Sequence, residues 1–210
     1  MPVHPNLPKE GMIYQREQYA KGGPGRWYWD LRDSIAFSYI EQEHHTILDM
    51  GCGEGIGLEK LKKQFPQKMV LGIDLEKENV EICKSHQLDV IRSNVYDLPL
   101  KNESIDLCIC IDMLEHLKEP LNGLKELRRI LKKDGLLIMT IPNDRNFFLA
   151  RIAMFMFKEA FYDSGHEKKW TPKSITRLIW DAGLKIQEKK NLPFIFWQIS
   201  LHHLIVVKKV

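Results

Sequence analysis

The sequence predicts an α/β fold, a doubly wound and mostly parallel sheet with helices on both faces. Three observations predict it. Short apolar runs of strand length alternate along the chain with segments whose apolar residues recur every three or four positions. The first run, from Thr46, reads T-I-L-D-M and breaks into glycines at Gly51, Gly53, Gly55 and Gly57. A second run, Val70 to Asp74, ends in an acid 23 residues beyond Gly51. In such a sheet that acid stands at the carboxyl end of the strand beside the glycine turn.

The 210 residues suffice for one domain with a sizeable core. With 44% hydrophobic and 28% charged residues, the composition is that of a soluble globular chain. A formal charge of +3 and the lack of a long basic run argue against nucleic acid as a partner. The beginning has no charged-then-apolar leader, and no stretch reaches the ~20 apolar residues of a membrane span. A cytoplasmic location is the default expectation. Cys52, Cys83, Cys108 and Cys110 lack metal-ligand spacing and are expected as reduced thiols.

In chain order, residues 1 to 25 hold four of the ten prolines and read as irregular, with a hinge-like break over Gly22, Gly23, Pro24 and Gly25. Trp27, Tyr28 and Trp29, then Ile35, Phe37 and Ile40, predict an aromatic-rich helix ahead of the first strand. It reads equally as a helix packed on the sheet edge and as a lid over a bound ligand. Residues 1–45 are accordingly set apart from a main domain at 46–210.

The glycine turn lets main chain approach a bound molecule and adopt positive φ. A dinucleotide fingerprint, G-x-G-x-x-G, would need a third glycine where Ile56 or Leu58 stands, and no G-K-[ST] follows. A nicotinamide dehydrogenase is therefore disfavoured. The run D-x-G-x-G-x-G formed by Asp49, Gly51, Gly53 and Gly55 resembles the first motif of class I S-adenosylmethionine-dependent methyltransferases. The resemblance implies a Rossmann-like, seven-stranded sheet, mostly parallel with a C-terminal antiparallel hairpin. It implies S-adenosylmethionine as cofactor and S-adenosylhomocysteine as product. Asp49, Gly51, Cys52, Gly53 and Gly55 would cradle the cofactor, and Asp74, with Leu75 beside it, would accept hydrogen bonds from two ribose hydroxyls.

Leu58, Leu61 and Phe65 predict a helix stopped at Pro66, and Val80 and Cys83 mark a second, more polar one. Asp89 to Asn94 reads as the third strand. Where the family often has G-D-A-x-x-L-P, with the acid receiving the adenine amino group, Ser93, Asn94 and Val95 stand here. Asn94 is expected to accept through its amide oxygen, with Asp97 as competitor. Ile105 to Asp112 is the fourth strand, apolar as a strand covered on both faces must be. It runs into M-L-E-H-L, similar to the S-x-x-L-E-H of a small-molecule subgroup, the methyltransferase type 11-like proteins. This places Asp112 and Met113 beside the cofactor. His116 reads as a general base or as a tie between two loops.

Leu121, Leu124, Leu127 and Leu131 make an amphipathic helix whose outer face carries Lys125, Glu126, Arg128 and Arg129. Asp134 and Gly135 turn the chain into the fifth strand, Leu136 to Asn143. The stretch R-R-I-L-K-K-D-G-L-L-I-M-T-I-P-N resembles the subgroup's R-x-L-K-P-G-G-x-L-x-x-x-x-P-N. Asp112 with Asn143 and Asp144 would suit Mg²⁺, but the Asn-Asp order reverses that of catechol-type methyltransferases, so no metal is expected.

Phe147 to Tyr162 carries only Arg151, Lys158 and Glu159 as charges, reads as a helix apolar nearly all round, and is too short to cross a bilayer. It is an insert expected at the carboxyl edge of the sheet, either as a roof or wall of the acceptor pocket or buried against the domain itself. His166 precedes T-P-K-S, a helix start with Thr171 as N-cap and Pro172 at the first position. It is the preferred catalytic candidate ahead of His116. Leu184 to Leu192 and His202 to Val210 read as the closing hairpin at the sheet's edge. Phe194, Phe196 and Trp197 between them should meet Phe147 to Tyr162, two apolar segments flanking one mouth. These point to a lipophilic or lipid-linked small-molecule acceptor, or to contact with a membrane surface. The alternative is a non-catalytic S-adenosylmethionine-binding module that docks a partner through the same apolar rim.

Overall fold

The computed structural model describes residues 15–153 and 167–209. Seven strands form one sheet: β1 (Thr46–Met50), β2 (Met69–Asp74), β3 (Val90–Arg92), β4 (Ile105–Ile111), β5 (Leu131–Pro142), β6 (Leu184–Leu192) and β7 (His202–Lys209). Their order is β3-β2-β1-β4-β5-β7-β6. β1 to β5 pair in parallel, and β7 runs antiparallel to both β5 and β6. The antiparallel hairpin lies at the sheet's edge as expected. β7 inserts between β5 and β6, because its run of six buried residues needs neighbours on both sides, whereas β6 alternates and can face water.

Seven helices are described: α1 (Gln15–Lys21), α2 (Gly23–Phe37), α3 (Ile56–Gln64), α4 (Lys77–Ser85), α5 (Pro120–Ile130), α6 (Asp144–Ala153) and α7 (Pro172–Asp181). The chain winds outward from β1 in both directions, so the strand order reverses between β1 and β4. That is where such a sheet opens a crevice at its carboxyl edge. The period-two alternation of the strands sends side chains to two cores. Ile47, Leu107, Ile109, Ile138, Leu204 and Val206 pack with Ala36 and Phe37 of α2 and Leu58 and Leu61 of α3. Leu48, Met50, Cys108, Cys110, Met139 and Ile205 pack with Leu124 and Leu127 of α5 and Ile175 and Ile179 of α7.

Local chemistry sets the helix ends. Thr171 and Ser174 exchange hydrogen bonds in a capping box ahead of α7, with Pro172 in the first turn. The expected break at Gly22 to Gly25 narrows to Gly22 and Gly23, both at positive φ (74° and 78°). Pro24 and Gly25 instead open α2, since proline needs no amide partner in a first turn. The outer face of α5 is more than a solvated face. Arg129 donates to the carbonyls of Leu98 and Leu100 and to Glu126, which accepts from the Leu98 amide. Together they pin the segment between β3 and β4.

Candidate functional site

The glycine turn leaves β1 with Gly51, Gly53 and Gly55 at φ values of 74°, 54° and 80°. Any other residue would be strained there, and the space is also taken. A Cβ on Gly51 would lie 2.8 Å from Met113 Cγ, and one on Gly53 would lie 2.9 Å from Gln15 Oε1. The Gly51 and Cys52 amides donate to the Ile73 carbonyl, at 2.8 and 3.1 Å, which clamps the turn to the end of β2. Gly55 caps α3, so the turn delivers the chain straight into a helix N-terminus. This is the cradle expected for a bound molecule: main chain without side-chain cover at its glycines, positive φ and a helix N-terminus beneath.

Asp74 sits where predicted, at the carboxyl end of β2 beside that turn. Its carboxylate accepts from the Gly53 amide (2.8 Å), the Glu76 amide (2.9 Å) and Asn79 Nδ2 (3.1 Å). An ionised carboxylate offers about four acceptor positions, so one stays open and the Asn79 side chain can yield a second. Leu75 beside it is 47% exposed, an apolar surface at the same edge. Asn94 Oδ1 accepts from the Tyr96 amide at 3.1 Å in a local turn, which leaves one of its lone pairs for an adenine amino group. Val95 is buried in the core under this turn rather than on its surface. It shapes the floor and makes no polar contact.

Asp49 is 6% exposed below the glycine turn, and a Cβ at Gly57 would lie 3.3 Å from its Oδ2. Burial first, then the Asp33 and Asp74 carboxylates, push its carboxyl up to about 7, against the opposing charge of Arg32. An acid held so close to neutrality is available to a cation placed over the turn.

Asp112 takes a different environment. It follows β4 at φ 49°, an uncommon conformation for a non-glycine residue. Its side chain accepts from Arg32 Nη1 at 2.8 Å and from Thr140 Oγ1 at 2.6 Å, and pairs with His202 Nε2 at 2.9 Å. The other His202 nitrogen, Nδ1, meets the Tyr28 hydroxyl at 2.6 Å. Burial works to raise the Asp112 carboxyl, but His202 foremost and then Arg32 and Thr140 hold it well below the usual carboxylate range. Burial and the Asp112 charge drive the Tyr28 hydroxyl well above the ordinary tyrosine value. The Asp112 carboxylate is thus held from three sides, and its backbone amide donates to Thr140 Oγ1 at 3.2 Å, so the residue is locked in place at the end of β4. Met113, packed on Gly51, links this network to the glycine turn.

His116 closes a short 3₁₀ turn, Leu114–His116. Its neighbour Glu115 is 1% exposed, and burial, then the Asp112 charge, raise its carboxyl well above the usual range. His166 and most of the apolar insert, from 154 onward, lie outside the described residues. The insert's start is visible as α6. Asn143 Nδ2 donates to the Trp197 carbonyl (2.9 Å), and Asn146 Nδ2 donates to those of Gln198 (3.0 Å) and Ser200 (2.8 Å). These bonds join the base of α6 to the β6–β7 connection. Phe147 stands edge-on to His202 at 4.8 Å and to Tyr28 at 6.4 Å. Arg26 pairs with Asp30 (3.7 Å) and lies over the Tyr19 ring. Among the described residues no group of three or more His, Cys, Asp or Glu is arranged to hold a metal ion.

Several residues at this edge were not singled out from the sequence. Glu54, 4% exposed, accepts from the Gln15 and Arg16 amides at 3.0 and 2.8 Å, which seats α1 on the glycine turn. Arg32, Thr140 and His202 form the Asp112 network. Arg32 carried a signal, a cation on an otherwise aromatic helix. Thr140 and His202 carried none, since polar residues at strand ends are ordinary. A hollow of about 730 Å³ lies elsewhere, lined by Tyr39, Asp134, Lys185 and Lys208 among others. It contains none of these groups, so chemistry and not volume locates the site.

Residues 48–139 match the family described as a methyltransferase domain. A ubiquinone biosynthesis O-methyltransferase of Haemophilus ducreyi is 28% identical over 184 residues, which cover 78% of this chain and 77% of that protein. A probable S-adenosylmethionine-dependent methyltransferase of Mycobacterium tuberculosis is 25% identical over 74% of this chain. The match covers 55% of that relative, so the chain spans little more than half its length. Among solved structures, a SAM-dependent methyltransferase of Thermotoga maritima, a possible histamine N-methyltransferase, has a TM-score of 0.68 at 23% identity. It covers 93% of this chain and 96% of its own, a likeness of fold.

Proposed function

Because the chain belongs to the class I S-adenosylmethionine-dependent methyltransferases, we propose that it transfers the cofactor's methyl group to a lipophilic, lipid-linked small molecule. One arrangement carries the cofactor half of this reading. The glycine turn and the Asp74 carboxylate stand together at the carboxyl edge of the sheet, joined by the bond from the Gly53 amide. Asp74 would take the ribose hydroxyls, Leu75 one face of the adenine and Asn94 its amino group. Gly51 to Gly55 would bring main chain against the amino-acid part, with Asp49 answering its positive charge. Met113 would close the floor.

The acceptor half rests on the apolar groups around the same edge. Phe194, Ile195 and Phe196 are 52%, 84% and 67% exposed, and α6 adds Phe148 and Leu149 at 39% and 51%. Such contiguous apolar exposure suits a hydrocarbon tail. One relative is named for methylation in ubiquinone biosynthesis, which accords with an acceptor of this kind. The sulfonium supplies an activated methyl group, so the chain's own task is to align donor and acceptor and to exclude water. His116 is the described candidate for touching the acceptor, and His166 is the other. No helix among the described residues is long and apolar enough to cross a membrane. Contact with a bilayer would be peripheral, through the apolar rim.

Calorimetric titration with S-adenosylmethionine and, separately, NADH tests the first half. Binding of the former alone is expected. Formation of S-adenosylhomocysteine with phenolic acceptors that carry or lack a prenyl tail tests the second. Equal turnover of both would overturn the lipophilic assignment. Tight cofactor binding with no turnover would favour the binding-module alternative.

A further inference from the structure

Cys52 in the glycine turn and Cys83 on α4 are free thiols that methyl transfer does not use. Both reach a single acceptor, the Gly53 carbonyl, at 3.9 and 3.4 Å, which brings the two thiols to one point of the turn. Glycines make the room for them. A Cβ at Gly55 would lie 2.7 Å from Cys83 Sγ, and one at Gly72 would lie 2.9 Å from Cys52 Sγ. Arg16 stands over the pair. Its Nη2 is buried without a hydrogen-bond partner and lies 3.6 Å from the Gly55 Cβ position. The hydrogen bond from Cys52 first, and the Arg16 charge with it, lower the Cys83 thiol against the opposing effect of burial.

The pair is covered by a weak element. α1 has seven residues and buries none of them. It is held to the turn through Glu54 and by Arg16 to Glu59 at 2.9 Å. A helix so short does not persist by itself, so local opening exposes the thiols without unfolding the sheet.

We propose that Cys52 and Cys83 form a reversible disulfide in the presence of peroxide, and that this bond closes the glycine turn to the cofactor. The Cys83 thiolate attacks one oxygen of hydrogen peroxide. The O–O bond breaks, and the released hydroxide takes a proton to leave as water, giving a sulfenic acid. The Cys52 sulfur then displaces the sulfenic oxygen as a second water, carrying off its own proton, and the S–S bond forms. Two thiols are oxidised by two electrons and one peroxide is reduced. A bond of about 2.05 Å replaces the contacts at the Gly53 carbonyl and draws the turn toward α4, away from the geometry that places the Gly53 amide on Asp74. Cys108 and Cys110, buried in β4 with thiols driven far up by that burial, stay reduced and serve as internal controls.

The inference rests on the cofactor reading for its effect, though not for the disulfide itself. Reduced protein is treated with hydrogen peroxide, digested without reductant and analysed by mass spectrometry. A portion is titrated with S-adenosylmethionine. A 52–83 linkage, at least tenfold weaker binding and full recovery with dithiothreitol are expected. Cys83→Ser should lose both the linkage and the peroxide effect, and Cys52→Ser should stop at a Cys83 sulfenic acid trapped by dimedone. Peroxide that leaves both thiols alkylatable overturns the proposal, as does a disulfide that leaves affinity within twofold. If the reduced protein binds no cofactor, the functional reading and the gate fall together, while the mass measurement still decides the linkage.

Discussion

Replacing Asp49 by Asn should stabilise the protein at neutral pH, although the change removes a signature acid. Asp49 lies buried at the end of β1 among Asp33 and Asp74, and its carboxyl is pushed up to about 7 from an ordinary 3.8. An acid raised on folding is a native-state liability once ionised. The native state holds the proton more tightly, so stability falls as pH rises through 3.8 and stops falling above the folded value. Three units at 1.36 kcal/mol each give about 4 kcal/mol at full ionisation. Between pH 5 and pH 8 the two-site titration gives about 2.5 kcal/mol of that loss. Urea unfolding of the native chain and Asp49→Asn at both values measures it. The stability gap in favour of Asn should widen by about 2.5 kcal/mol from pH 5 to pH 8. A gap unchanged with pH would refute the burial argument. The same proton has a binding counterpart: a cationic ligand over the turn should expel it. Calorimetry at pH 6.5 in buffers of different ionisation enthalpy should register release of a fraction of one proton per S-adenosylmethionine bound.

Asp74→Ala would do more than strip a ribose contact, since the carboxylate also holds Gly53, Glu76 and Asn79. Asp74→Asn separates the effects: with one amide group turned toward a backbone donor, it should cost about 2–4 kcal/mol in urea unfolding and weaken cofactor binding at least tenfold. Arg32→Ala leaves the half-buried Asp112 carboxylate and the buried Asp33 carboxylate each short of a partner and should cost about 3–5 kcal/mol by thermal unfolding. Asp112 titrates with its folded value depressed, so its contribution is complete above the unfolded pKa of 3.8 and is lost as pH falls through the folded value. Asp112→Asn should therefore narrow its stability deficit below pH 4 in an acid titration. Phe194→Ser with Phe196→Ser should raise KM for a prenylated acceptor about tenfold and leave the cofactor Kd unchanged. Tyr28→Phe and His202→Asn, combined in a double-mutant cycle, should couple by about 1 kcal/mol through the 2.6 Å bond, and additivity would show the two groups to be independent.

The glycine turn and the acid at the end of β2 were legible because their signals are local. Asp49 and the three glycines lie within seven positions, and Asp74 needs only the rule that parallel strands present their carboxyl ends together. The β3 segment illustrates the limit of a motif. Asn94 sits at the expected place, yet its amide oxygen is already turned to the Tyr96 backbone, a choice fixed by one local φ/ψ that no spacing records. The hairpin shows another limit. Apolar alternation identifies β6 and β7 but does not say which is interior, although six consecutive buried positions in β7 against alternation in β6 carried the answer. His202 could not be assigned, since a histidine opening a strand says nothing until topology brings it to Asp112, 90 positions earlier.

The Asp112 network has a physical reason to be illegible. It is built from the end of β4 (Asp112), β5 (Thr140), the start of β7 (His202) and α2 (Tyr28, Arg32), segments remote in sequence that meet only through the doubly wound topology. Asp112 is held at φ 49°, a conformation that costs free energy and persists where the surroundings over-determine it. Here Arg32, Thr140 and His202 supply the constraint, and Met113, the next residue, lies on Gly51 of the cofactor turn. A shift of α2 that releases Arg32 from Asp112 would thus reach the glycine turn through a single peptide unit. The N-terminal helices are in this sense part of the site. α2 is anchored in the core by Ala36 and Phe37, whereas α1 buries no residue and is held by polar contacts at the turn and by Tyr19 against Trp29 and Asp30 of α2, so the element with the least burial is the one lying over the glycine turn.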